Sequence, residues 1–540
     1  MIAQGASLGP KNDWVVTNAL LGVERLACLH EATNLGARSS PQSEWRHAGT
    51  HQDEILKYGP IRKGIVTMSR SHDLGSSGLL RRRSLLKSAL AAGACSVIPA
   101  RSLFATGKSG DLVSLACCGI GNRGGAIIED LVATGMARVV ALCDTDMGAP
   151  HTQAILKQFP DVPRFQDFRK MFDQMGNDIQ AVTVGVPDFA HFPITMLAAS
   201  LGKHVYCEKP MARTFQEVAL MMAAEKKYKV ACQMGNQGHS GANYFQFAAW
   251  TKAGIIKNVT KIDAFMNTAR RWHGFTGASL LAAGNKPKPD TLDWDTWLMS
   301  AAEHAYNRNY TPEQWRCWYE FGMGALGDWG AHILDTAHQF LELGLPTEVN
   351  AVRLDGHDAA IFPQASTLSF QFPARGSQPP CEVRWYDGVK NLPPLPPEFG
   401  DAVIDPNIPP PTNASTVKSP PGKVIYGEGL TFKGGSHASA LEIIPQAKAK
   451  DLAATLPKYQ GDANHAANFL KACKGEETCR SSFAVAGPLS QMMCLGVLAQ
   501  RLNTRLIFDP ATRQITNNKA ANELLIGAPP RQGWEQFYKL

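Results

Sequence analysis

The chain contains no CxxC pair and no HExxH, and no unbroken apolar run approaches the ~20 residues needed to cross a bilayer. Neither a zinc site, a redox dithiol nor a membrane span is therefore expected. Twelve cysteines in 540 residues are too dilute for a disulfide scaffold. Cys117, Cys118, Cys143, Cys207 and Cys232 sit in apolar, strand-like runs and read as small buried hydrophobes. Cys473 and Cys479 flank a polar loop and could pair if the protein is exported.

A basic excess is missing as well, once the charge is divided along the chain. The total is 54 Lys and Arg against 47 Asp and Glu, a net +7. Residues 1–110 hold fourteen of the basic and seven of the acidic groups, leaving 40 of each in the remainder. A neutral body argues against nucleic acid as a partner.

What is present begins with an address. Arg82-Arg83-Ser84-Leu85-Leu86-Lys87 precedes a short Ala-rich apolar stretch ending at Ala100, the pattern of a twin-arginine export signal. Residues 68–110 are read as this signal and its linker, with Met68 as the start and 1–67 as a non-native or disordered extension. The expected partner of that segment is the twin-arginine translocase, and the expected location is periplasmic or otherwise outside the cytoplasm.

From Leu112 the chain reads strand, glycine turn, helix. LVSLACC is continuously apolar, as in a parallel strand buried on both faces. Gly119-Ile120-Gly121-Asn122-Arg123-Gly124 follows, then a helical stretch over 126–134, then VVALC ending in Asp144. Gly119 permits the tight turn, Gly121 lets backbone approach a pyrophosphate, and Gly124 allows close helix packing. Asp144 would accept hydrogen bonds from ribose hydroxyls, which favours NAD over NADP. Further short strands start near Ile179, Lys203 and Lys229, with helices over 190–201 and 214–227. This alternation predicts a doubly wound parallel Rossmann sheet over 111–235.

Two clusters carry candidate chemistry. Lys209, in Glu208-Lys209-Pro210, stands at the carboxyl end of a strand, the edge where such sheets bind ligands. Taken alone, a lysine there is as readily solvated surface. In MGALGDWGAHILDTAHQFL, residues 323–341, Asp328, His332 and Asp335 share one face if the segment is a single helix. That pattern suits an acid–base pair or, equally, a helix cap beside a buried histidine.

Together the GxGxxG, the following acid, GKHVYCEKP, the Asp-x-x-x-His of GDWGAH and the closing run LIFDPATRQITNNKAANELL resemble the Gfo/Idh/MocA oxidoreductases. The resemblance covers residues 111–540 and is to exported bacterial members. It implies that a large, open, mostly antiparallel sheet fills an α/β substrate domain over 236–540, often serving as an oligomer interface. It also implies that Lys209 is the catalytic lysine and that Asp328 and His332 are the acid–base pair, with Asp328 orienting the imidazole. Pro187, His191, Glu208 and Gln237 join Gly119–Gly124 and Asp144 as expected cofactor contacts. Tyr306, Arg316, Trp318 and Asp335 are weaker substrate candidates. An aromatic core is an equal reading for Trp315 and Trp318. The proline-dense stretch 392–422 reads as a surface loop.

The activity these features imply is NAD-dependent hydride transfer from a secondary alcohol of a sugar, cyclitol or glycoside. Export would require the cofactor to travel bound, since no nicotinamide pool exists outside the cytoplasm. Two alternatives stand behind it: glycoside cleavage through a transient keto-sugar, and a non-catalytic NAD- or sugar-binding module.

Overall fold

The computed structural model describes residues 111–267, 276–311, 314–401 and 421–540. The twin-arginine segment, the extension before it and residues 402–420 of the proline-rich loop lie outside them.

The first layer is built from β1 (Val113–Cys118), α1 (Asn122–Ala133), β2 (Ala137–Cys143), α2 (Gln153–Gln158), β3 (Arg164–Phe165) and α3 (Phe168–Met175). It continues through β4 (Ala181–Val184), α4 (His191–Ser200), β5 (His204–Cys207), α5 (Phe215–Tyr228) and β6 (Cys232–Met234). The strands are all parallel, in the order β3-β2-β1-β4-β5-β6. This is the doubly wound dinucleotide order, and its reversal at β1/β4 opens a crevice at the strands' carboxyl ends. Helix α1 starts at Asn122, four residues before the expected 126, so Arg123 and Gly124 belong to its first turn.

The second layer begins with α6 (Ala242–Lys252), β7 (Lys261–Met266), α7 (Gly277–Ala283) and α8 (Trp294–Leu298). Next come α9 (Gly324–Ile333), α10 (Asp335–Phe340), β8 (Glu348–Asp355), β9 (Ala365–Phe372) and β10 (Cys381–Asp387). After the loop follow β11 (Gly422–Tyr426), β12 (Thr431–Gly435) and β13 (Glu442–Ile444), then α11 (Gln446–Leu452) and α12 (His465–Cys473). The chain ends in α13 (Phe483–Leu502), β14 (Arg505–Asp509), β15 (Gln514–Ile515) and α14 (Lys519–Ile526). The sheet runs β13-β12-β11-β7-β10-β9-β8-β14-β15, nine strands in which only β7 and β10 pair in parallel. It is the large, mostly antiparallel sheet of the expected α/β fold.

Three details depart from the sequence reading. The segment 323–341 is two helices meeting at Leu334, and Asp335 bonds Asn236 and His239 instead of lining a pocket with Asp328 and His332. Helix α13 is long and apolar enough to span a membrane, contrary to the expectation that no segment is. Most of it is buried, packed against α5, α9 and β8 as a central core helix. The chain after residue 236 also returns to the first layer: Phe469 and Leu470 of α12 join the core beneath α1, and Tyr538 donates a 2.8 Å hydrogen bond to Glu217 in α5.

Cys473 and Cys479 are both free thiols, half-buried against that α12 cluster.

Candidate active site

The turn between β1 and α1 leaves no room for side chains. Gly119 has φ +78°, and a Cβ on it would lie 2.4 Å from Gly185 O. A Cβ on Gly124 would lie 2.1 Å from Gly119 O. Asp144 fixes the turn to the end of β2: one carboxylate oxygen accepts from Ile120 N–H at 3.0 Å and the other from Asp146 N–H at 3.0 Å. Burial raises its pKa despite these bonds. Asp144 thus anchors the turn first, while still lining the adjoining cavity. At Gly121 the imidazole of His151 lies directly over the backbone, 2.0 Å from where a Cβ would stand.

That cavity measures about 590 Å³. One wall is the glycine turn, Asp144, His151 and Pro187; the other comes from the second layer, with Pro289, Thr291, Trp297, Tyr306, Trp315 and Arg316. Both the volume and the glycine cradle suit a dinucleotide with its phosphates at the start of α1, where free N–H groups and the positive end of the helix dipole lie.

A polar pocket of about 280 Å³ adjoins it, sharing Arg123, Gly185, Val186 and Arg316. Lys209, at the end of β5, donates to Asp328 Oδ1 at 2.6 Å and to Asp328 O at 3.0 Å. The expected pairing thus changes: Asp328 holds the lysine, whereas His332 stacks on His437 with ring centroids 4.0 Å apart. His437, on the link between β12 and β13, donates its backbone N–H to His332 O at 3.0 Å. Nδ1 of His332 is buried without a partner. Burial, Lys209 and His437 push the His332 pKa well below the usual histidine value, so the ring is neutral near pH 7 and able to accept a proton.

Arg316 lies flat on Trp315 at 4.1 Å and stands 3.5 Å from Asp188 and 3.7 Å from Asp328. These are charge contacts longer than hydrogen bonds; Nε and Nη1 are buried without a hydrogen-bond partner, and the residue lines both cavities. Asp188 accepts Met323 N–H at 3.0 Å, and burial raises its pKa to about 6 against the pull of Arg316 and Lys209.

Other expected contacts are engaged by the protein itself: Glu208, His191 and Gln237 line the polar pocket, whereas Trp318 and Asp335 line neither cavity. Glu208 accepts from Arg123 Nε at 3.0 Å and from Gln237 Nε2 at 3.1 Å, clamping α1 to the ends of β5 and β6. His191 has Nδ1 2.7 Å from Pro210 O and Nε2 2.9 Å from Val186 O, so it braces two backbone loops rather than presenting a ring nitrogen to a ribose. Trp318 is buried, its Nε1–H donating to Asn309 O at 2.8 Å, within a ring cluster that includes Tyr310. Asp335 is buried behind the pocket, bonded to Asn236 and His239 at 3.3 Å, where its charge partly offsets the burial of Lys423. Tyr306 and Arg316 do reach a cavity wall. His151, Asp188 and His437 line these cavities without any motif that marks them as site residues. No group of three or more metal-ligating side chains occurs among the described residues.

A doubly wound sheet opening through a glycine cradle into a cavity that meets a lysine–aspartate pair defines a dinucleotide-binding α/β protein. Residues 113–236 match a family model described as "Oxidoreductase family, NAD-binding Rossmann fold", and residues 250–363 match one described as "Oxidoreductase family, C-terminal alpha/beta domain". The chain belongs to the Gfo/Idh/MocA oxidoreductase family. It is 28% identical over 186 residues to levoglucosan dehydrogenase of Pseudarthrobacter phenanthrenivorans, covering 34% of this chain and 38% of that protein. A glycosyl hydrolase family 109 protein of Solibacter usitatus is 28% identical over 205 residues, covering 34% and 45%. These matches span less than half the length of either relative. The WlbA dehydrogenase of Chromobacterium violaceum, solved with NADH and UDP-GlcNAcA, shares the fold: TM-score 0.50, 15% identity, 75% of this chain and 98% of that one.

Proposed function

We propose that this protein is an exported, NAD-dependent oxidoreductase acting on a secondary alcohol of a sugar, cyclitol or glycoside. The observation that carries the reading is the Lys209–Asp328 pair, 2.6 Å apart, in a pocket continuous with the dinucleotide cavity. When bound, the nicotinamide supplies hydride acceptance. The chain's own residues manage the proton and the charge. The Lys209 ammonium, oriented by Asp328, stabilises developing alkoxide. His332, neutral and lining the same pocket, accepts the hydroxyl proton. Tyr306, Trp315 and Arg316 line the cavity wall against which a polyhydroxylated substrate would lie. The direct backbone anchoring of an acid at the end of β2, with Thr145 and Asp146 beyond it, favours a free ribose 2′-hydroxyl over a phosphate.

Lys209→Ala is expected to lower kcat by roughly 10²–10³-fold, the cost of one preorganised charge donor. NAD affinity, read by fluorescence titration, should stay within a few-fold of the parent. Equal loss of both would remove Lys209 from the chemistry. Protein purified from its native host and denatured should release stoichiometric NAD or NADH; an empty protein would remove the tightly held cofactor.

A second reading, glycoside cleavage through a keto-sugar, is favoured by the surplus of acid–base groups. Dehydrogenation needs one base, yet the pocket also holds His437 and Asp188, the latter with a pKa near 6. Elimination needs a base for the acidified C–H and an acid for the departing oxygen. Aryl glycosides distinguish the two: release of the aglycone without net NADH would establish cleavage.

A further inference from the structure

A separate pocket of about 250 Å³, lined in part by Phe189, lies between the start of α5 and the ends of α13 and α14. Arg213 and Arg501 both line it. Among the described residues neither guanidinium is paired with a carboxylate, and Arg213 Nε is buried without any partner. The two carboxylates in the wall are committed elsewhere. Glu217 accepts from Thr214 N–H and from the Tyr538 hydroxyl at 2.8 Å, and Glu320 pairs with His304 at 2.8 Å. The Tyr319 hydroxyl adds a third unfilled donor: the residue is 2% exposed, its OH has no partner, and Arg501 stands 5.7 Å from its ring.

Two guanidiniums sharing a half-buried pocket, neither in direct contact with Glu217 or Glu320, repel one another. Arg501 registers this, its pKa lowered by burial first and by Arg213 second. The N-terminal turn of α5, capped by Thr214, contributes its positive dipole end to the same wall. Guanidinium and hydroxyl donors that no side chain of the protein fills are a built receptor for an acceptor from outside.

We propose that this pocket binds a small oxyanion, a phosphate group or a carboxylate, held by Arg213, Arg501 and the Tyr319 hydroxyl. The site is distinct from the dinucleotide cavity and shares no lining residue with it.

The test uses the full chain saturated with NAD, so that phosphate cannot register at the glycine turn. Thermal unfolding is followed while inorganic phosphate, succinate or sodium chloride is added at matched ionic strength. Saturable stabilisation by phosphate or by succinate, absent with chloride, is expected, and whichever acts identifies the class of anion. Arg213→Gln and Arg501→Gln should each weaken that midpoint about 10-fold or more, the loss of one charge-assisted contact. Without added anion, Arg501→Gln should unfold at the same temperature as the parent or higher, because a repulsion has been removed. Anion response retained in both variants, or no saturable response in the parent, overturns the proposal. So does a marked fall in the anion-free unfolding temperature of both variants, which would mean that the arginines act as structural struts.

Discussion

Burial holds the Asp188 carboxyl at about 6 even though Arg316 and Lys209 stand beside it, so desolvation outweighs two favourable charges. The sign of its effect on stability follows from this. A carboxyl whose folded pKa lies above its unfolded value favours the fold at low pH, and that contribution is lost as pH rises from about 4 through about 6. At pH 7 the ionised group therefore destabilises the protein, by up to roughly 3 kcal/mol. Asp188→Asn should raise the unfolding temperature at pH 7 by a few degrees and lower turnover, because Arg316 loses a neighbour that positions it. Scanning calorimetry with steady-state rates checks both halves; an unfolding temperature that falls would show that the Arg316 contact outweighs burial. A gain in stability with a loss of rate is the mark of a residue kept for chemistry.

At the scale of elements, the turn joining β1 to α1 is the most constrained. Gly124→Ala sets a methyl 2.1 Å from Gly119 O, a backbone atom that cannot swing aside. The substitution is expected to cost about 1–3 kcal/mol and to abolish NAD binding, measured by chemical unfolding and by titration of intrinsic fluorescence. This turn was legible in the sequence because its determinants are local: apolar strand, glycine spacing and acid all fall within Leu112–Asp144. Lys209 was placeable for the same reason, at the end of a strand that its own residues announce. What escaped the sequence reading depends on contacts between distant segments. His332 meets His437 only because β12 and β13 carry their link over the end of α9, and nothing in GGSHAS signals it. The break at Leu334 is likewise silent, since HILDTAHQF keeps helical spacing on both sides, and so are the bonds that hold Asp335 to Asn236 and His239. Strand β3 is only Arg164–Phe165, too short to show a period.

Across the whole molecule, the two layers share a core in which several histidines are buried and neutral. His338 is lowered to about 4 and His465 to about 3, burial being the leading cause in both. His465 does so at the seam, with Nε2 2.9 Å from Met234 O at the end of β6 and Nδ1 2.8 Å from Ser240 Oγ. For a histidine with a depressed folded pKa, the unfolded chain takes up a proton that the fold refuses. Stability is complete above about 6.5 and is lost as pH falls toward 4. Asp188 and Asp387, both raised to about 6, act in the opposite direction over the lower part of that range, so the onset near 6.5 belongs to the histidines. His338 isolates one such contribution: it lies far from the reaction pocket, and its Nε2 is 2.9 Å from Gly344 O, a bond that a glutamine amide can replace. Between pH 7 and pH 4.5 the parent should lose about 2–3 kcal/mol more than His338→Gln, the span set by a pKa moving from 6.5 to about 4. Urea unfolding at the two pH values yields this double difference, in which any general effect of acid cancels. Parallel pH dependence in the two proteins would show that His338 is protonated within the fold and that the buried histidines are not what limits the molecule in acid.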